Sequence, residues 1–434
     1  MRLPIDVPIH PGTLHCEVCG NADYREIMLK VESFSERHRL SPNLSVVASD
    51  RGPIRVLLLI SGLEKGGAEG QMLQLVRGLD RNRFCVSVGA THGGGARRQE
   101  FLEVLGEALV SFGGEKGSLI SVAKNAKHWG HTWMPDIIYS FEEGPNLLGL
   151  IVARQQKCPL VWGIRNAPSQ SSGLDTWKGE AKKLLNRVLC HYPAKIVYNS
   201  RRGEEIYQQR GFPADRGIVI GNGFSESAYF PDAVARAEIR KQWGFSDDDI
   251  LVGLVATVKP PKNHPLFIQA VKNLAESHPK VKFICIGPNF PDRPILGEYL
   301  RECQAQSADL IDAGRFFWFD DASNMRAVYN GLDMVVLSSL FEGTPNVLAE
   351  ACMCGTLCVS TDAGDAGRIV NNPDLISGLN IDAFTSCLDR ALCLPLAQRN
   401  AIAESLRQNV LNNYSMTSMV ERTSLLLEEV CLAR

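Results

Sequence analysis

The sequence predicts an α/β protein with two Rossmann-like, parallel-sheet domains. From Ile54 onward, short apolar runs alternate with amphipathic stretches, which is typical of successive βαβ units. The chain has 434 residues and 45% hydrophobic content, which is enough for two domains with cores of ordinary size. Because ligands bind at the carboxyl ends of parallel strands, we expect a site in a cleft that both domains face.

The overall composition argues against several classes of protein. The net charge is −2, from 46 basic and 48 acidic residues, and no arginine-rich arm is present, so nucleic acid is not an expected partner. Thirteen cysteines are scattered through apolar segments, for example at Cys85, Cys285 and Cys358, which indicates reduced core cysteines. The longest apolar runs are too short to span a membrane. We therefore expect a cytoplasmic protein.

Residues 1–52 lack the strand–helix pattern and are interpreted as an N-terminal extension. Within them, Cys16 and Cys19 have the spacing of half a zinc site. A structural zinc site needs four ligands, and no second cysteine pair follows nearby. His10 and His15 remain the alternative source of the missing ligands, although no bound metal is expected.

Residues 53–232 are predicted to form the first domain. A glycine-rich turn containing Gly66 and Gly67 follows its first strand, but the turn has neither dinucleotide-binding nor phosphate-loop spacing. The predicted strands are Ile54–Ile60, Phe84–Val88, Ala108–Phe112, Asp136–Phe141, Leu160–Ile164, Lys195–Asn199 and Gly217–Ile220. The predicted helices are a first one ending near Leu79, then Arg97–Leu105, Asn146–Gln156, Leu174–Leu189 and one opened by Ser200 and Arg201.

Residues 233–410 are predicted to form the second domain, and residues 411–434 a C-terminal helix. Lys259 and Lys262 lie in a basic turn that opens a helix, where positive charge adds to the helix dipole and favours phosphate. The predicted strands are Ile250–Val255, Lys280–Gly287, Phe316–Phe319, Asp333–Leu337 and Leu357–Ser360. The predicted helices include one ending near Ser277, one ending near Gln306, one starting at Ser323, and Ala383–Leu392, Leu396–Asn409 and Thr417–Val430.

The stretch 341–355, FEGTPNVLAEACMCG, joins a buried strand to a tight loop and then to a helix. Pro345 predicts a helix start near Asn346. Glu342 precedes this helix and Glu350 lies on its polar side, so both carboxylates can flank one cleft. The free N–H groups of the helix start suit an anionic group, and paired carboxylates can bind diols.

This stretch resembles the Glu-x7-Glu signature of retaining, nucleotide-sugar-dependent glycosyltransferases of family 4, which have the two-domain GT-B fold. The resemblance implies that Glu342 contacts the donor sugar and Glu350 the ribose, and that the last helix returns to the N-terminal domain. The turn at Gly66-Gly67 is similar to the family's Gly-Gly-Ala-Glu stretch. The implied catalytic residues are Glu342 and Lys262. The implied donor-binding residues are Gly66, Gly67, Lys259, Lys262, Gly343, Thr344, Pro345, Asn346, Val347 and Glu350.

Two positions depart from the family pattern. Many members carry a histidine after the strand that ends here at Phe141, but this chain has Glu142 and Glu143. Glu142, Arg165 and Asn166 are therefore the candidates for orienting the substrate. The family also has an arginine five residues before the lysine matched by Lys262, where this chain has Thr257; Lys259 is its candidate replacement.

The implied reaction transfers a sugar from a UDP- or GDP-linked donor to a sugar or lipid-linked hydroxyl acceptor, with retention and without a metal. Bacterial polysaccharide or glycolipid synthesis is the expected setting. A basic helix face at Lys178, Lys182 and Lys183 indicates a possible peripheral contact with anionic lipid. A nucleotide-sugar epimerase, a phosphorylase and a non-catalytic sugar-nucleotide sensor remain alternatives.

Overall fold

A computed structural model describes residues 52–64, 66–113, 118–165, 177–320 and 324–433. The expected N-terminal extension with Cys16 and Cys19 lies outside these residues, as do Asn166 and the side chains of Lys178 and Lys182. Within the described part of the chain, no helix is long and apolar enough to cross a membrane.

The first sheet has seven parallel strands in the order β3-β2-β1-β4-β5-β6-β7. Its strands are β1 (Ile54–Ile60), β2 (Phe84–Ala90), β3 (Leu109–Ser111), β4 (Ile137–Phe141), β5 (Leu160–Ile164), β6 (Lys195–Tyr198) and β7 (Gly217–Val219). The strand order changes direction between β1 and β4, and the carboxyl ends of strands at such a switch point form a crevice that binds ligands.

The second sheet has six parallel strands in the order β10-β9-β8-β11-β12-β13. Its strands are β8 (Ile250–Val255), β9 (Val281–Ile286), β10 (Phe316–Phe319), β11 (Met334–Leu337), β12 (Leu357–Thr361) and β13 (Ile376–Ser377). Its switch point lies between β8 and β11. The fold is therefore the expected α/β architecture with two Rossmann-like sheets.

Helices cover the sheets on both faces, which explains why the strands are nearly continuous apolar runs. In the first half they are α1 (Gly67–Gly78), α2 (Arg98–Leu105), α3 (Leu119–Trp133), α4 (Glu143–Gln156), α5 (Trp177–Leu189) and α6 (Arg201–Gln209). In the second half they are α7 (Ala233–Trp243), α8 (His264–Leu274), α9 (Pro294–Asp312), α10 (Met325–Gly331), α11 (Asn346–Met353), α12 (Ala366–Val370), α13 (Ile381–Cys393), α14 (Leu396–Asn413) and α15 (Met416–Leu432).

The C-terminal helix α15 packs on the first sheet's half of the protein, as predicted. Its Leu426 and Leu427 belong to the same buried cluster as β1 and α1. Arg83, just before β2, makes an ion pair with Glu428 at 2.9 Å. Burial of these leucines stabilises the contact, at roughly 25 cal/mol per Å² of apolar area, whereas an ion pair between side chains that are 34% and 30% exposed contributes only about 0–1 kcal/mol.

The structure also differs from the sequence-based predictions. Helices α3, α7 and α12 and the short strand β13 were not predicted. Side chains cap α3 and α7: Ser118 accepts from the N–H of Ser121, and Asp232 accepts from that of Ala235. The prediction that Cys85 is a core cysteine is wrong, because Cys85 is exposed on β2 between two buried neighbours, whereas Cys285 and Cys358 are buried.

Candidate active site

A cleft of about 220 Å³ lies between the two sheets, where the loops after their switch-point strands meet. Residues from both halves of the protein line it: Gly67, Ala68, Arg165, Asn199, Asn222, Phe341, Glu342, Gly343, Thr344 and Asn346. The structure thus brings together the glycine-rich turn and the Glu342 loop, which lie more than 270 residues apart in the sequence.

The glycine-rich turn approaches its neighbours closely. A side chain at Gly66 would place its Cβ 2.1 Å from a carboxylate oxygen of Glu69, and one at Gly67 would lie 3.3 Å from the amide nitrogen of Asn346. Gly66 is also the residue that caps the start of α1. Glycine at position 67 therefore lets this turn lie close to α11, whereas glycine at position 66 leaves room for the Glu69 side chain.

The loop that carries Glu342 is tied to the basic turn at residues 259–263. The Ser338 hydroxyl donates to the carbonyl of Lys262 at 2.9 Å. The N–H of Leu340 donates to the carbonyl of Pro261, also at 2.9 Å. The Glu342 loop and the basic turn, which are far apart in sequence, are therefore held together by hydrogen bonds at the ends of β8 and β11.

Gly364 sets the position of the main chain at Glu342 and Gly343. It has a φ of +62°, and a Cβ there would lie 2.2 Å from the carbonyl oxygen of Gly343. The N–H of Asp365 donates to the same carbonyl at 3.0 Å. Only glycine combines this left-handed conformation with such a close approach.

Glu342 and Lys262 form an ion pair, with 2.5 Å between Nζ and Oε1. The hydroxyl of Ser339 donates to the same carboxylate oxygen at 2.7 Å. Both charged side chains are mostly buried, with exposures of 18% for Lys262 and 13% for Glu342. Loss of solvent and the nearby Lys262 ammonium lower the pKa of Lys259, which places the two lysines in one electrostatic environment.

Glu350 lies on α11 one turn beyond Asn346, but it does not line the 220 Å³ cleft. The Tyr329 hydroxyl donates to Glu350 Oε2 at 2.7 Å, and Tyr229 also donates to this carboxylate. Burial raises the pKa of Glu350 from 4.5 to about 7, although the tyrosine hydrogen bonds and the charge of Arg97 oppose the shift. The carboxyl group is therefore close to half ionised at neutral pH.

Glu142 has an unusual backbone conformation at the carboxyl end of β4. Its φ is +76° and its ψ 164°, a combination that costs a non-glycine residue about 1–3 kcal/mol. The hydroxyl of Ser61, just after β1, donates to its carboxylate at 2.7 Å. Such strain is concentrated at functional sites, and Glu142 lies at the first sheet's switch point.

Arg165 lines the cleft and is held by two aromatic residues. Its guanidinium carbon lies 3.8 Å from the ring centroid of Phe141, and Nη2 donates to the Tyr139 hydroxyl at 2.8 Å. These contacts fix the orientation of the side chain at the end of β5. Asn166, the neighbouring candidate, lies outside the described residues.

The remaining donor-site candidates lie at the start of α11, and only some of them line the cleft. Pro345 caps the start of α11, and Val347 is partly buried against the second sheet's core. Asn346 lines the cleft and accepts a 2.7 Å hydrogen bond from the side chain of Asn222. The hydroxyl of Thr344 donates to the carbonyl of Asn199 at 2.6 Å. These two bonds connect the halves of the protein across the cleft.

Several residues of the site were not identified from the sequence. Asn199 and Asn222 follow strands of the first sheet. Their position after a strand end was the one signal in the sequence that could have identified them as site residues. Tyr229 and Tyr329 donate to Glu350 from segments outside its helix, and Arg97 affects its pKa from the first half of the chain. No local pattern connects these three residues with Glu350.

One group of potential metal ligands occurs among the described residues. His278, Asp389 and Cys393 have ligand atoms within 4.8 Å of one another. His278 Nε2 lies 2.7 Å from an Asp389 oxygen, which is an ordinary hydrogen bond. None of the three lines the cleft.

Comparisons with known proteins agree with this architecture. Residues 65–227 match the family model described as Glycosyltransferase Family 4, and residues 235–408 match Glycosyl transferases group 1. The chain is 24% identical to the Bacillus subtilis protein named "Putative glycosyltransferase EpsF" over 365 residues, covering 82% of this chain and 92% of that protein.

Two further comparisons extend the similarity. An Escherichia coli protein, UDP-Gal:alpha-D-GlcNAc-diphosphoundecaprenol alpha-1,3-galactosyltransferase, is 23% identical, with 70% of this chain and 77% of that protein covered. The structure of Anabaena Alr3699/HepE in complex with UDP aligns with a TM-score of 0.73 and 19% identity, over 87% of this chain and all of that one. This likeness shows the fold, which is GT-B.

Proposed function

We propose that this chain, a glycosyltransferase of the family 4 type, transfers a sugar from a UDP-sugar to a hydroxyl acceptor with retention of the anomeric configuration. The observation that carries the proposal is the Lys262–Glu342 pair, at 2.5 Å, beside a cleft formed where two parallel sheets reach their switch points. UDP is favoured over GDP because the similar Anabaena structure contains UDP.

The departing diphosphate is assigned to Lys262, Lys259 and the start of α11. Glu342 pairs with Lys262. A bound diphosphate would offer this ammonium a second anionic partner, and the free N–H groups of α11 add a positive dipole end. Preorganised positive charge of this kind stabilises the leaving group without a metal ion. We therefore propose a metal-independent reaction.

Glu342 and Glu350 are assigned different parts of the donor. Glu342 lines the cleft beside the paired glycines, which suits a role next to the sugar ring, where charge develops as the glycosidic bond breaks. Glu350 is assigned the ribose hydroxyls. It does not line the cleft, and we assign it the ionised form, which accepts from both hydroxyls of a diol; its pKa of about 7 makes that form dependent on pH.

Glu142 is assigned the position of the absent histidine. Its strained backbone and its hydrogen bond to Ser61 hold it at the first sheet's switch point, as expected for a residue that orients substrate. Arg165, fixed against Phe141, is assigned the same role from the neighbouring strand. Both proposals are independent of the assignments made for the second sheet.

The proposed setting is the synthesis of a bacterial polysaccharide or glycolipid in the cytoplasm. The Escherichia coli relative is named for a diphosphoundecaprenol-linked acceptor, which favours a lipid-linked acceptor here. Such an acceptor would bring the enzyme into peripheral contact with the membrane. The basic helix α5 is the proposed surface for that contact.

Incubation of the protein with common nucleotide sugars, without an acceptor, tests the proposal. A transferase should hydrolyse its donor slowly and release a nucleoside diphosphate. Release of an isomerised sugar would instead indicate an epimerase, and tight binding without turnover a sensor. The donor can be found first by thermal shift, because a ligand at one hundred times its dissociation constant adds about 2.7 kcal/mol of stability.

A further inference from the structure

The helix α6, in the first half of the protein, receives part of its N-terminal cap from the second half. An α-helix leaves its first N–H groups without partners inside the helix. In α6 the Ser200 hydroxyl accepts from the N–H of Gly203 at 3.0 Å. The N–H groups of Arg201 and Arg202 donate to the two carboxylate oxygens of Asp365, at 3.1 and 3.2 Å. Residues of both halves therefore complete the start of this helix.

Asp365 caps α6 and not the helix that it begins. It occupies the N-cap position of α12, where an aspartate ordinarily accepts from an N–H of its own helix. Within α12, which the structure describes in full, no N–H group caps onto this side chain. The residue is only 5% exposed, and a buried carboxylate needs hydrogen bonds to replace those of water. The N–H groups and the positive dipole end of α6 supply them.

The main chain beside Asp365 supports the loop that carries Glu342. The N–H of Asp365 donates to the carbonyl of Gly343 at 3.0 Å. Gly364 lies so close to this loop that a Cβ there would be 2.6 Å from the carbonyl oxygen of Glu342. The side chain of Asp365 thus holds α6, while its main chain holds the loop of the residue that we assign to the donor sugar.

A second hydrogen bond joins the start of α6 to the Glu342 loop directly. The Thr344 hydroxyl donates to the carbonyl of Asn199 at 2.6 Å, and Asn199 immediately precedes the Ser200 cap. The segment 199–202 therefore contacts the loop both through Thr344 and through Asp365. Because this segment belongs to the first half of the protein, the place of Glu342 in the cleft depends on both halves.

We propose that Asp365 is a positioning residue, which holds Glu342 in place beside the donor sugar by anchoring the Glu342 loop to α6. This inference rests on the proposed glycosyltransferase function, since it takes the role of Glu342 at the sugar ring as given. Asp365 does not line the cleft, so its effect is exerted through the loop. A misplacement of about 1 Å can cost about 10²-fold in rate, which sets the scale of the expected effect.

Donor hydrolysis by full-length variants tests the proposal, beside calorimetry with UDP. The substrate is the UDP-sugar that most stabilises the wild type in the thermal-shift screen. Asp365→Ala should lower kcat at least about tenfold, with donor KM and UDP affinity within about threefold of wild type, because the diphosphate is assigned to the lysines and α11. Asp365→Asn keeps an oxygen that caps a helix well, and its kcat should stay within about threefold of wild type.

A control and a double variant separate positioning from a general loss of stability. Asn380→Ala removes the cap of α13, where Asn380 accepts from the N–H of Ala383 at 2.8 Å, and it should keep the wild-type kcat. In Asp365→Ala/Glu342→Gln, the loss of Asp365 should cost less than about twofold in kcat beyond Glu342→Gln alone, because residues that act as one unit are not additive. If Asp365→Ala does not melt cooperatively, Asp365→Ser replaces it, since serine can cap α12 itself.

Four results would overturn the role of Asp365. These are wild-type kcat in the alanine or serine variant, an equal loss of kcat in Asn380→Ala, a kcat of Asp365→Asn as low as that of the alanine variant, and losses that multiply in the double variant. UDP binding and donor hydrolysis by the wild type are measured alongside. Their absence would refute the proposed function, whereas their presence beside any of the four results refutes the positioning role alone.

Discussion

Binding of UDP should require the ionised form of Glu350. Burial raises the pKa of this carboxyl to about 7, and the Tyr329 hydroxyl occupies one of its oxygens at 2.7 Å. A carboxylate that accepts hydrogen bonds from ribose hydroxyls is stabilised in its charged form, so bound UDP should lower this pKa. Protons should therefore be released on binding, and affinity should rise with pH.

The size of the effect follows from the ionised fraction. With a pKa of about 7, roughly one molecule in eleven is ionised at pH 6, and roughly ten in eleven are ionised at pH 8. Because the apparent dissociation constant is the intrinsic value divided by the competent fraction, UDP should bind about tenfold more weakly at pH 6 than at pH 8. Near pH 7, roughly half a proton should be released per UDP bound.

Calorimetry in two buffers with different ionisation enthalpies measures this proton release directly. Glu350→Gln removes the titrating group, while the terminal phosphate of UDP titrates in both proteins. The difference between wild type and variant therefore isolates Glu350. Glu342→Gln is the matched control and should keep the wild-type pH dependence. Equal proton release by wild type and Glu350→Gln, or proton uptake assigned to Glu350, would refute the reasoning.

Three further outcomes are expected. Glu350→Gln should stabilise the unliganded protein at pH 8 by about 1–3 kcal/mol in urea unfolding, and it should have little effect below pH 5. The pKa of Glu350 is raised in the folded state, so its stabilising contribution is complete below pH 4.5 and is lost as the pH rises through about 7. EDTA should leave donor turnover within about twofold, because lysines and a helix start are assigned the diphosphate; complete loss restored by magnesium or manganese would contradict this. Deletion of residues 1–52 should leave a cooperatively melting protein that binds UDP in calorimetry, because the strand–helix pattern begins at Ile54; a folded truncation without UDP binding would disprove it.

The strands were predictable because both faces of a parallel sheet are buried, so each strand appears as a short apolar run. The bounds Ile54–Ile60 and Phe316–Phe319 were predicted as the structure has them. Helix α7 was missed because its buried side carries a charged residue and not an apolar run. Arg240 is only 1% exposed on its buried side and pairs with Asp333 at 3.3 Å, so no apolar periodicity marks this helix.

The missed helix α3 was predictable from the sequence. Its inward positions Val122, Ala126, Trp129 and Trp133 recur at helical spacing and pack on the first sheet's core, whereas lysine and histidine side chains occupy much of the remaining surface. This periodicity is typical of an amphipathic surface helix. The Ser118 cap was the local signal that could have identified its start.

The site was predictable only where its chemistry is local in sequence. Glu342 and Asn346 share one short stretch, and the cleft indeed includes both. The contact between Lys262 and Glu342 joins residues 80 positions apart, and the tyrosines on Glu350 come from other segments, so only the folded chain reveals these pairings. The strain at Glu142 is a backbone property that residue identity does not encode.

Comparison of Glu342→Gln with Glu350→Gln tests the central claim most directly, by donor-saturation kinetics beside calorimetry with UDP. Glu342→Gln should lower kcat on the order of 10²-fold with UDP affinity nearly unchanged, because it removes a contact made as the glycosidic bond breaks. Glu350→Gln should mainly raise the donor KM and weaken UDP binding, because it removes a contact made in ground and transition states alike. Identical behaviour of the two variants, or loss of UDP binding in Glu342→Gln with normal binding in Glu350→Gln, would contradict the assigned roles.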